Sequence, residues 1–216
     1  MISKIKDPVS ALTHFIGAVL SVPITVFLIY FAVKNATAWH VASFIVFGVA
    51  LVLLYTASTV YHSISISDRV SNILRCIDHM MIFVLIAGTY TPVCLVALRG
   101  PWGYTLFTLV WAIAIFGILL KIFWFNAPRK LSTLIYVVMG WLVIVAFFPL
   151  IRAIPPQGLT LLVLGGVAYT VGAVVYALKL PFLNFKFFGF HEIFHLFVIA
   201  GSTFHIIFMF SCIMVL

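Results

Sequence analysis

The chain reads as seven long apolar runs parted by short polar breaks. The runs cover about 14–33, 40–62, 73–98, 102–124, 131–151, 159–180 and 190–213. Each has roughly the 20 residues a helix needs to cross the hydrocarbon core of a bilayer. The breaks are Lys34-Asn35, Ser65 to Ser71, Arg99-Gly100-Pro101, Asn126 to Lys130, Arg152 to Gly158 and Pro181 to Lys186. Connections this short make successive helices run up and down as neighbours. The pattern predicts an all-α integral membrane protein, a seven-transmembrane helix bundle forming a single membrane domain over 1–216. The first run, from near His14, is longer than the core of a signal peptide and is expected to stay as a spanning helix.

Composition supports that reading. Of the 216 residues, 65% are hydrophobic and 7% charged, and the mean hydropathy is +1.31. Soluble domains carry roughly 25% charged residues. This chain cannot cover a globular surface with polar groups, so most of it must face lipid. No hydrophilic domain, charge run or Ser/Pro-rich linker interrupts it. The net charge of +8 is scattered between apolar runs, which points to topology and not to a nucleic-acid partner. Lys4, Lys6, Arg69, Arg75, Lys121, Arg129, Lys130, Lys179 and Lys186 fall on the N-terminal side of the bundle. Lys34, Arg99 and Arg152 fall on the other. The positive-inside rule then predicts a cytoplasmic N-terminus and an outside C-terminus in a multi-pass membrane protein. Cys76, Cys94 and Cys212 lack C-x-x-C spacing and are read as free, buried thiols.

Candidate chemistry gathers at one depth. His14 is expected to open the first helix, His62 to close the second, Asp78 and His79 to open the third, and His191 and His195 to open the seventh. All then lie in the cytoplasmic third of the membrane. Ionisable residues at membrane depth are costly and by default suggest function. On the seventh helix His191 and His195 stand about 40° apart on one face, with Ser202 and His205 below them. Ser58 and His62 repeat the same spacing on the second helix. On the third, Thr89 shares a face with Asp78.

Two histidines one turn apart make a good platform for zinc, which takes nitrogen ligands at about 2.0–2.1 Å in a tetrahedral array. A third ligand could come from His62, Asp78, His14 or His79. His205 lies about 15 Å deeper than His195 along the helix, too far for the same ion, and reads as a hydrogen-bonded interior histidine. Residues 191–195, His-Glu-Ile-Phe-His, spell a zinc-protease motif. Yet no Asp or Glu follows His195, and Glu192 sits about 80° from the centre of the histidine pair. A protease would lack its downstream third ligand. The bland alternative is a pair of histidines bonded to backbone carbonyls in a polar bundle core.

Four stretches together resemble a known family. They are "DPVSALTHFIGAVLS" (7–21), "STVYH" (58–62), "ILRCIDHMMIFVLIAGTYTP" (73–92) and "HEIFHLFVIAGSTFH" (191–205). The chain is similar over nearly its whole length to the hemolysin III branch of the progestin and adiponectin receptor family, which is related to alkaline ceramidases. That resemblance implies seven helices with a cytoplasmic N-terminus, in a multi-pass protein of the bacterial inner or plasma membrane. It implies Zn2+ held by His62, His191 and His195. Asp78 is then expected to contact the water on the metal, and Ser58 matches the family's serine. Asp7 stands where relatives usually carry Glu. Glu192 falls at a position that varies in the family, which makes the protease lettering accidental.

The expected function is hydrolysis of a lipid amide or ester by ceramidase-like chemistry. Membrane lipids are the expected partners, with a substrate in the bundle interior. Two other readings stand beside it. One is a sensor or regulator of membrane state with a structural zinc. The other is the cytolytic activity in the family name, for which this chain offers no soluble form.

Overall fold

Helix starts here are set by turn chemistry and not by where each apolar run begins. Asp7-Pro8 starts the first helix six residues before His14, because proline's fixed φ suits the first helical position. Ser67 starts the third five residues before Ile73, its Oγ accepting from the Val70 N–H at 3.3 Å. The computed structural model describes residues 5–124, 127–179 and 188–216. Its membrane helices are α1 (Pro8–Asn35), α2 (Ala38–Ser63), α3 (Asp68–Ala97), α4 (Pro101–Phe123), α5 (Arg129–Ala153), α6 (Pro156–Leu178) and α7 (Phe190–Val215). All seven are long and apolar enough to cross a bilayer, and no strand occurs among the described residues.

The earlier starts correct two expectations. His14 lies in the second turn of α1 and does not open it. Asp78 and His79 lie about three turns into α3. His62, one residue from the end of α2, and His191, the second residue of α7, sit where the runs predicted. Leu180 of the predicted sixth span lies outside the described residues. So do the break at Pro181 to Lys186, residue Asn126, and Lys4 and Lys186 of the basic count.

Two spans are not plain α-helices. After Pro92, α3 widens into a π turn over Val93–Ala97. The α5 span, predicted as one run, is α-helical over Arg129–Trp141, narrows to a 3-10 segment over Leu142–Ala146, then resumes over Phe147–Ala153. Unpaired backbone is not tolerated in lipid. Tyr90 answers it here. Its hydroxyl donates to the Gly140 carbonyl at 2.7 Å and accepts from the Val143 N–H at 2.8 Å.

α1 packs on α2, α2 on α3 and α6 on α7, and α1 closes against α7. Lipid is as apolar as Leu, so close packing and hydrogen bonds hold such helices together. Gly165 and Gly201 allow α6 and α7 to approach. A Cβ at Gly165 would meet the His205 ring, and one at Gly201 the Tyr169 ring. Phe44, Phe47, Phe83 and Phe208 are wholly buried, while Phe123, Phe148 and Val145 point outward, as lipid-facing side chains do. The three cysteines are free, with Cys94 and Cys212 buried and Cys76 half-buried.

Candidate metal centre

The end of the bundle where α1, α3, α5 and α7 begin carries the polar layer. His62 enters it from the last turn of α2, and His191 and His195 from the first turns of α7. Each of the three offers a ring nitrogen, and these nitrogens lie within 4.8 Å of one another. The Nε2 atoms of His62 and His191 are 3.1 Å apart. Zinc's bond lengths in a tetrahedral array put ligand atoms roughly 3.3 Å apart, so the His62–His191 pair is spaced as two ligands of that ion would be, with His195 close by. His62 and His195 are buried and His191 is half-buried. Three histidines in this arrangement can hold a metal ion.

Asp7 supplies the part that sequence reasoning left unassigned. The His62 Nδ1–H donates to its carboxylate at 2.9 Å. A carboxylate accepts only, so that bond places the His62 proton on Nδ1 and leaves Nε2 free toward the other histidines. Asp7 is held in place by the main chain: its N–H donates to the His62 carbonyl at 3.0 Å. The readable signal was the pairing of one acidic residue just before a Pro-started helix with a histidine ending the next helix.

The other candidates take different places. His14 stacks flat on His195, with ring centroids 3.6 Å apart. His79 faces the Tyr176 hydroxyl through Nε2 at 3.2 Å, and its carbonyl accepts from Tyr136 at 2.9 Å. Glu192 is occupied at the start of α7, accepting from the Ser10 hydroxyl at 2.7 Å and from the Gly189 N–H at 2.8 Å. Its carboxylate therefore links α7 to α1 and helps cap the helix. His205 lies apart from the cluster, stacked against Tyr169 at 5.5 Å. Above it Ser202 accepts from the Tyr55 hydroxyl at 2.8 Å and bonds the Tyr169 hydroxyl at 2.9 Å.

Asp78 and Ser58 line a cavity of about 280 Å3 whose wall also includes His14, His191 and His195. The Ser58 hydroxyl adjoins the Asp78 carboxyl but falls short of hydrogen-bond geometry with any partner. From there the cavity runs between α3, α5, α6 and α7 past Tyr136, Leu162 and Tyr169 to Val93 and Leu150. Its wall on α3 extends from Asp78 to Val93, roughly 22 Å of helix. The lining is overwhelmingly apolar; His14, Asp78, His79, His191 and His195 gather at one end, and His205 lines it deeper.

The sequence pattern of the family described as "Haemolysin-III related" matches residues 2–206. The chain belongs to the haemolysin-III-related family. This haemolysin-III-related chain is 45% identical over 212 residues to the Hemolysin-3 homolog of Bacillus subtilis (strain 168), covering 97% of this chain and 94% of that one. It is 44% identical over 216 residues to Hemolysin-3 of Bacillus cereus, covering 99% and 93%. A more distant relative is the human Monocyte to macrophage differentiation factor, 25% identical over 178 residues, with 80% and 68% covered. These matches place the haemolysin III relative in the progestin and adiponectin receptor family, as a multi-pass protein of the cell membrane.

Proposed function

We propose that this haemolysin-III-related protein is a zinc-dependent hydrolase of a lipid amide or ester. The observation that carries the proposal is a cluster of three metal-competent histidines at the mouth of a long apolar cavity that also presents a carboxyl and a hydroxyl. An acyl chain lying along the cavity would bring its carbonyl beside Asp78 and Ser58. His62, His191 and His195 would hold the ion, and the bond from Asp7 favours the His62 tautomer that can ligate. Bound Zn2+ lowers the pKa of water toward about 7 and polarises a carbonyl.

The chain's own groups do the rest. Asp78 takes the proton from the attacking water and returns it to the leaving amine or alcohol as the C–N or C–O bond breaks. Ser58, with a hydroxyl uncommitted to any hydrogen bond, donates to the carbonyl oxygen as it gains charge. The products are a fatty acid and the freed headgroup. The basic bias in the sequence supports a cytoplasmic position for this end of the bundle.

A second reading makes the ion a structural pin. It is favoured by the bonds that already tie α1, α2 and α7 together here, from Asp7 to His62 and from Ser10 to Glu192. Cytolysis, named for the Bacillus cereus relative, then follows from excess protein disturbing the bilayer. Release of fatty acid from lipid amides or esters by purified protein separates the readings. The hydrolase requires activity that Asp78→Asn abolishes while the metal stays bound. No release from any lipid class would leave the structural pin.

A further inference from the structure

Outside the histidine layer lies a second space, a vestibule of about 490 Å3. Its wall carries four cationic side chains from separate places in the chain: Lys6, Arg75, Lys121 and Arg129. Two carboxylates share it, Asp7 and Glu192, and both are committed. Asp7 accepts from His62 and lies 3.9 Å from Lys6, while Glu192 accepts from Ser10 and Gly189. The chain has four acidic residues in all. Of the other two, Asp78 lines the apolar cavity and Asp68 begins α3. Asp78 comes within electrostatic reach of Lys6, but among the described residues no carboxylate besides Asp7 and Glu192 lines the vestibule.

Lys121 is the decisive member. It sits in the last turn of α4, 5% exposed; its carbonyl accepts from the Cys76 thiol at 3.3 Å, but its ammonium has no hydrogen bond or ion pair with a described residue. It also lies within electrostatic reach of Arg75, a like charge. Burying an ammonium without a partner is expensive, and here one that has none among the described residues lines the vestibule. Arg129 is held in place by its bond to the Tyr176 carbonyl at 3.2 Å and by stacking over the Tyr176 ring at 4.8 Å. Cavity and vestibule share His79, Tyr176 and His191 in their walls. Apolar cavity, histidine cluster and cationic vestibule therefore follow one another in line.

We infer that the vestibule binds a phosphate group, carried as the headgroup of the lipid whose acyl chain occupies the cavity. A phosphate offers several strong acceptor oxygens that can bridge Lys and Arg side chains from different helices. The site then selects an acyl lipid with an anionic headgroup over neutral or amine-bearing ones. This rests on the hydrolase reading for the position of the scissile bond, but not for binding itself.

The test is binding without turnover. The full chain, purified in neutral detergent, is titrated with lauroyl lysophosphatidic acid and with monolauroylglycerol, which share the acyl chain and differ in the phosphate. The phosphate lipid should bind about tenfold or more tighter, with a preference that shrinks as salt rises. Lys121→Gln should remove most of that preference, Lys121→Arg should keep it, and Lys130→Gln, outside the vestibule, should not alter it. Equal affinity for the two lipids, or a preference untouched by Lys121→Gln, overturns the inference. If inorganic phosphate alone binds as tightly as the lipid, the site belongs to a soluble anion and the headgroup assignment falls. Preference without any hydrolysis leaves this inference standing and removes the hydrolase. Hydrolysis of both lipids without preference does the reverse.

Discussion

At the scale of single residues, the proposed site divides into groups that would hold an ion and groups that would act beside it. Alanine at His62, His191 or His195 should strip most bound zinc and lower Tm, because metal binding contributes to the folded state. Asp78→Asn should keep its zinc, since Asp78 lies outside the ligand cluster, while losing any lipid hydrolysis. Asp7→Ala should weaken zinc affinity by about 10–100-fold through His62. Competition with a graded chelator reads that shift, and an unchanged affinity would show that the 2.9 Å bond does not tune the ligand. The histidine pair on α7 was legible in the sequence because four residues make nearly one helical turn. The partner from α2 was one of four candidates on spacing alone, because spacing says nothing about which neighbouring helix turns its face inward. Asp7 was seen but unassigned, since its role depends on the main-chain bond that fixes it beside His62. Lys121 was counted only as a marker of topology, because burial of a helix-end lysine is not written in its neighbours.

At the scale of elements, hydropathy located all seven helices and misjudged where several begin. It follows burial in lipid, whereas helix starts follow Pro8 and Ser67, which lie in polar stretches. The 3-10 segment within α5 was invisible, because Leu142–Ala146 is as apolar as the helix around it. Its support comes from Tyr90, far away in sequence. Tyr90→Phe removes the group that serves both Gly140 and Val143. It should cost about 1–2 kcal/mol, read as a lower Tm in detergent with zinc content unchanged. An unchanged Tm would mean that the break in α5 satisfies itself.

At the scale of the whole molecule, the bundle gathers His14, His62, Asp78, His79, His191 and His195 toward one end, beside a largely apolar cavity. Orientation comes from the basic residues of the sequence. A reporter fused after Leu216 should therefore read outside the cell, and one inserted at 125–130 should read cytoplasmic; the opposite pattern would place the site on the outer face. Acid should release the metal. Protonated imidazole cannot ligate, so zinc should leave as the medium is acidified from neutral. Occupancy that does not change with pH would require other ligands. The most direct measurement is zinc per chain, by elemental analysis of purified wild type, His62→Ala and His205→Ala. The account predicts about one zinc in wild type and in His205→Ala, and little in His62→Ala. Metal retained by His62→Ala and lost by His205→Ala would contradict it, placing the ion at the deep end of α7.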